Sequence, residues 1–182
     1  MNAQALYNLK FPIGEFEKPN VLDVEQLNAW LQVIKTFPGQ LAETVNDLTN
    51  SQKGWRYRPD GWNIKQVVHH CADSHANGYI RFRLALTEER PTIRPYIESR
   101  WAELYDANED DLSDSLLILT SIHNRWHRLM NTFTQTQWER VLIHPEHKAP
   151  LVLSEYLGNY AWHCEHHLAH VKQALKAEGT YN

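Results

Sequence analysis

Eleven histidines lie in a chain of 182 residues, and seven of them crowd into two short windows, Val67 to His75 and Trp162 to His170. Neutral imidazole is a common metal ligand, and histidines four apart on a helix stand one above the other, so two ring nitrogens can aim at one point. His163 with His167, and His166 with His170, form such pairs. Either pair is a two-ligand platform, and a third ligand must come from another helix. The adjacent His69 and His70 are the natural donors, with His75 in reserve. Three imidazoles that leave positions open for water make a reactive metal centre rather than a closed structural one. His123 and His127 repeat the spacing without a companion cluster, which suits one of them to a supporting role or a substrate contact.

Other chemistries fail for want of their residues. The chain contains no H-E-x-x-H, no H-x-x-E-H and no Glu followed three residues later by His, so zincin and ferritin-like di-iron signatures are absent. C-x-x-C, G-x-S-x-G and P-loop patterns are absent as well. Cys71 and Cys164 each adjoin a histidine cluster, but both fall on apolar helix faces and read as small buried packing residues.

These side chains need helices to hold them. Apolar residues at three-and-four spacing mark four stretches: Asp23 to Leu48, Asn63 to Leu86, Ser113 to Phe133, and Ser154 to Gly179. Asp23, Asn63 and Ser154 are the expected N-caps, and Pro38-Gly39 is expected to kink or split the first helix. Four long amphipathic helices predict an all-α fold, a four-helix bundle. Thr87 to Asp110 forms a long crossover loop with a short helix around Glu98 to Tyr105, expected to cross the bundle or cover its mouth. The apolar triplets flanking His144 to Pro150 fit a small hairpin. On a helical wheel His163 and His167 flank the buried stripe of the last helix, whereas His166 and His170 turn toward solvent. On the second helix the wheel places His75 inside and His69 and His70 on opposite flanks, and does not choose between those two.

Composition sets the frame. Hydrophobic residues at 42%, charged residues at 22% and a net charge of -4 describe an ordinary globular chain without the basic footprint of a nucleic-acid binder. The expectation is one domain over residues 1–182, cytoplasmic, with two reduced cysteines, acting on a small molecule and on neither nucleic acid nor membrane.

The string Gly61-Trp62-Asn63-Ile64-Lys65-Gln66-Val67-Val68-His69-His70, with Tyr79-Ile80-Arg81-Phe82 and Ile93-Arg94-Pro95-Tyr96 after it, resembles the DinB-like superfamily, within it the YfiT-type subgroup of metal-dependent hydrolases. Trp162-His163-Cys164-Glu165-His166-His167-Leu168-Ala169-His170 resembles that subgroup's C-terminal motif, with Glu165 a departure from it, and Phe11 to Phe16 its N-terminal signature. The resemblance implies an up-down-down-up bundle and a divalent metal, zinc or nickel foremost, held by His70, His163 and His167. It further implies a hydrolase using metal-activated water. A thiol S-transferase of the bacillithiol type, which would add a low-molecular-weight thiol to the cofactors, and a non-catalytic metal-binding stress protein are the alternatives. Asp73, Glu165, His69 and His166 are candidates to orient ligands or move protons, Arg94 and Tyr96 to contact substrate, and a homodimer fits this kind of bundle.

Overall fold

The computed structural model describes residues 1–19, 22–146 and 149–182. Its helices are α1 (Ala3–Lys10), α2 (Val24–Val45), α3 (Asn50–Lys53), α4 (Ile64–Thr87), α5 (Glu98–Trp101), α6 (Ser113–Met130), α7 (Gln135–Trp138) and α8 (Leu153–Ala177), with a 3-10 turn at Asp106–Asn108. Two short strands, β1 (Val141–Leu142) and β2 (Leu151–Val152), pair antiparallel and form the expected hairpin, although His147 and Lys148 in its connection lie outside the described residues.

The four long helices make the bundle. α2 packs against α6 and α8, and α4 packs against the same two, so α2 and α4 face each other across the core, as do α6 and α8. Each helix turns one apolar face inward: Ile34 and Leu41 of α2, Val68 and Phe82 of α4, Leu119 and Trp126 of α6, and Leu157 and Val171 of α8 have no more than 1% of their surface exposed. Each such side chain contributes about 1.5–3 kcal/mol on burial, so the packing rather than intrinsic helix propensity fixes the helices.

Local signals set the ends. Asn63 accepts from the Gln66 N–H at 3.0 Å while the Gln66 side chain accepts from the Asn63 N–H at 3.1 Å, a reciprocal cap worth about 1 kcal/mol that fixes where α4 begins. Asp23 caps α2 in one direction, its carboxylate accepting from the Gln26 N–H at 2.8 Å. Ser154 does not cap α8. The helix starts at Leu153, directly after β2, and the Leu153 N–H donates to the Arg140 carbonyl, so hairpin pairing does the work assigned to a side-chain cap. α8 ends where Glu178 and Gly179 take left-handed conformations.

Pro38 does not split α2, which runs unbroken from Val24 to Val45. A proline removes the N–H that would serve the carbonyl four residues earlier, here that of Ile34. His123 of α6 supplies the missing donor: its Nδ1 lies 2.5 Å from the Ile34 oxygen. The vacancy in one helix is filled by its neighbour.

The crossover between α4 and α6 runs back along α4: Arg94 meets Arg81, Ala102 meets Gln66 and Asp110 meets Lys65. Ile93 donates to the Ile143 carbonyl and Ile143 to the Pro91 carbonyl, which fastens the crossover to the hairpin. The expected single short helix is instead α5 plus the 3-10 turn. Among the described residues, no helix is long and apolar enough to cross a membrane.

Candidate metal centre

His70 lies one and a half turns into α4, on the side that faces α8, and is buried there. His163 and His167, one turn apart on α8, meet it. One nitrogen from each of the three lies within 4.8 Å of the others, and the Nε2 atoms of His70 and His163 are 3.3 Å apart. Two nitrogens each about 2.0–2.1 Å from a tetrahedral ion lie about 3.3 Å apart, so the spacing and the all-imidazole donor set fit a divalent cation. Burial and the neighbouring histidines drive the pKa values of His163 and His167 well below the ordinary range, and burial followed by His166 brings His70 to about 4. At neutral pH all three rings are therefore uncharged, the state a ligand needs.

The remaining histidines divide by what they touch. His69, on the opposite flank of α4, is held by the Ser115 hydroxyl at 2.8 Å and the Glu109 carbonyl at 3.1 Å, which engages both its ring nitrogens, so that of the two only His70 meets His163 and His167. His75 stands behind His163 and is no ligand in reserve: its Nε2 lies 2.9 Å from His163 Nδ1 and its Nδ1 lies 2.7 Å from His123 Nε2. His123 and His127 do not meet a common partner: His123 bonds His75 and Ile34, and His127 bonds Asn131 just past the end of α6.

His166 and His170 are not solvated. Both are buried, because α1 and the loop before α4 cover that side of α8. His170 stacks on Tyr57 with ring centroids 3.8 Å apart and bonds the Lys10 carbonyl at 3.0 Å, while His166 lies against Trp162 and Phe11. Apart from Trp162, their cover comes from residues more than a hundred positions away, beyond the reach of a helical wheel. Cys71 and Cys164 are fully buried, and burial raises both thiols, as their packing role requires.

A cavity of about 670 Å³ opens beside the trio, with His163 in its wall. Trp62 shares that wall and packs against His70 and His167. Opposite stands Arg81, a residue that sequence reasoning passed over within its motif. It is 9% exposed, donates to the Tyr156 hydroxyl at 2.9 Å and the Arg94 carbonyl at 3.2 Å, and forms no ion pair among the described residues. A buried guanidinium outside any ion pair is unusual, although the Glu98 carboxylate shares the cavity and feels its charge. Tyr96 faces the cavity with its hydroxyl buried and unpartnered, whereas Arg94 is exposed and contributes its carbonyl alone. Glu165 points outward, and Asp73 is half-buried, its carboxyl raised to about 6 by burial and by Asp106.

A bundle carrying converging histidines from two helices defines a class, and comparison with known proteins places the chain within it. The sequence pattern of the DinB superfamily matches residues 34–171. YfiT of Bacillus subtilis, which carries the provisional name of a metal-dependent hydrolase, is 45% identical over 172 residues, 94% of this chain and 97% of that one. A relative from Oceanobacillus iheyensis with the same provisional description is 44% identical over 169 residues, 93% of this chain and 97% of its own. The solved YfiT structure, described as an unusual four-helix bundle, superposes with a TM-score of 0.91 over 94% of this chain and 98% of that one. A mycothiol-dependent maleylpyruvate isomerase shares the fold at 14% identity and a TM-score of 0.62, over 80% of this chain and 60% of its own. The chain belongs to the DinB superfamily.

Proposed function

We propose that this protein is a metal-dependent hydrolase whose divalent ion, zinc or nickel, is held by His70, His163 and His167, and whose small-molecule substrate occupies the adjoining cavity. The observation that carries the reading is the shared wall: His163 belongs both to the cluster of three nitrogens and to the lining of the cavity. Held by these three histidines, a divalent ion would supply Lewis acidity to water and to an electrophile in the cavity. The protein's own residues do the rest. Trp62 shields the trio from bulk water and fixes the ring of His70. Arg81, held by Tyr156 and the Arg94 carbonyl but in no ion pair, and Tyr96 present donors to an anionic or carbonyl oxygen of the substrate. The raised pKa of Tyr96, caused first by burial, keeps its hydroxyl a donor.

The test is metal content and turnover together. His70→Ala, His163→Ala and His167→Ala should each remove most bound metal in elemental analysis, while His144→Ala, a cavity-wall change, should not. Stoichiometric metal in all three variants would overturn the ligand assignment. Metal-loaded protein is then offered ester, amide and other electrophiles in water alone and with a low-molecular-weight thiol. Turnover in water supports the hydrolase. Turnover only with the thiol replaces it with an S-transferase, and no turnover with full metal content replaces both with a metal-binding protein.

A further inference from the structure

The trio is held from behind by two chains of histidines, each of which ends on a backbone carbonyl. In the first, His163 Nδ1 lies 2.9 Å from His75 Nε2, His75 Nδ1 lies 2.7 Å from His123 Nε2, and His123 Nδ1 lies 2.5 Å from the Ile34 carbonyl. The four members come one from each bundle helix: α8, α4, α6 and α2. In the second, His167 Nδ1 lies 3.4 Å from His170 Nδ1, and His170 Nε2 lies 3.0 Å from the Lys10 carbonyl of α1.

A carbonyl oxygen only accepts, and a neutral imidazole carries one N–H and one lone pair. The direction of every bond therefore follows from the ends. The Ile34 oxygen requires His123 to carry its proton on Nδ1, which makes His123 Nε2 an acceptor. His75 must then donate from Nδ1 and accept at Nε2, and His163 must donate from Nδ1. The proton cannot also be on Nε2, so the His163 lone pair lies on the nitrogen that faces His70. In the same way the Lys10 oxygen puts the His170 proton on Nε2, His170 Nδ1 accepts from His167 Nδ1, and the His167 lone pair lies on Nε2. His75, His123 and His170 are all buried, with no more than 2% of their surface exposed, so each bond in the two chains is made within the protein.

We infer that these two carbonyl-terminated chains select which nitrogen of His163 and of His167 ligates, and that His75, His123 and His170 are positioning residues of the metal centre. Pro38 belongs to the device, since its missing N–H leaves the Ile34 carbonyl without a partner within α2. His75, His123 and Cys164 also bring ligand atoms within 4.8 Å of one another. Both nitrogens of His75 and of His123 are engaged in the first chain, so that cluster is wiring and not a second metal site.

The inference rests on the three-ligand reading above, and its test begins without metal or turnover. In metal-free protein carrying nitrogen-15 histidine, long-range proton–nitrogen spectra should show the proton on Nδ1 of His163, His167, His75 and His123, and on Nε2 of His170, with assignments from single His→Gln variants. A His163 or His167 ring protonated on Nε2 overturns the inference, even if the three alanine variants lose metal as expected. Zinc binding by competition with a chromophoric chelator supplies the second readout. His123→Phe, which leaves His75 no acceptor, should weaken zinc about 10- to 100-fold and shift His163 and His75 toward the other tautomer. His123→Gln, which keeps an acceptor oxygen, should stay within about threefold of the parent. Unaltered zinc affinity in His123→Phe, or two zinc ions per chain in the parent protein, overturns the inference. Should His123→Phe fail to fold by circular dichroism, the tautomers of the parent protein decide.

Discussion

At His123 the surroundings settle both the proton and its energetic consequence. Burial brings the ring to about pKa 4 from an ordinary 6.5, outweighing the Ile34 carbonyl, which pulls the other way. The titratable side chain bonded to it is His75, itself held uncharged, and Phe37 and Trp126 pack around the ring. Between pH 6.5 and about 4 the unfolded chain binds a proton at this site that the folded chain refuses, so stability falls as pH falls. At about 1.4 kcal/mol per pH unit, the window corresponds to about 3 kcal/mol. Urea unfolding of metal-free protein from neutral pH to about 4.5 should therefore be steeper in pH for the parent than for His123→Gln, and equal slopes would remove His123 from the account. Two of the three candidate ligands were legible because an i,i+4 pair is a local fact of helix geometry. The choice of His70 over His69 was not. The two flank one apolar face almost symmetrically, and only Ser115 of α6 and the Glu109 carbonyl of the crossover take His69 away.

At the scale of elements, the four long helices were legible from periodicity and from the caps at Asp23 and Asn63. α1, α3 and α7 were not, because eight residues or fewer carry little periodic signal. Where helices approach closely, a single hydrogen atom matters. A Cβ built on Gly78 of α4 would stand 2.4 Å from the ring of Tyr160, the residue that donates to the Ser74 carbonyl and meets His75 edge-on. Gly39 of α2 has open space around the same position. Gly78→Ala should thus destabilise the fold by about 1–3 kcal/mol through overpacking, while Gly39→Ala should stabilise it by up to about 1 kcal/mol through helix propensity. Thermal unfolding of the two variants checks this, and a Gly78→Ala protein as stable as its parent would show that α4 and α8 have room to spare.

At the scale of the molecule, the misread positions share a cause. His166 and His170 looked solvated, and Pro38 looked like a breaker, because each was judged within its own helix. The partners that reverse those readings, the α1 segment, Tyr57 and His123, arrive from the far side of the fold. Pro38 has the furthest-reaching consequence. A proline inside a helix costs up to about 3 kcal/mol against alanine, only part of which the His123 bond offsets, so Pro38→Ala should raise the melting temperature. The same change gives the Ile34 oxygen a second suitor, and zinc affinity should drop as heat tolerance climbs. A variant that improves on both counts would show that one oxygen serves two donors without competition. If they move in opposite directions, selection for a sturdier chain would first discard the residue that primes it for metal.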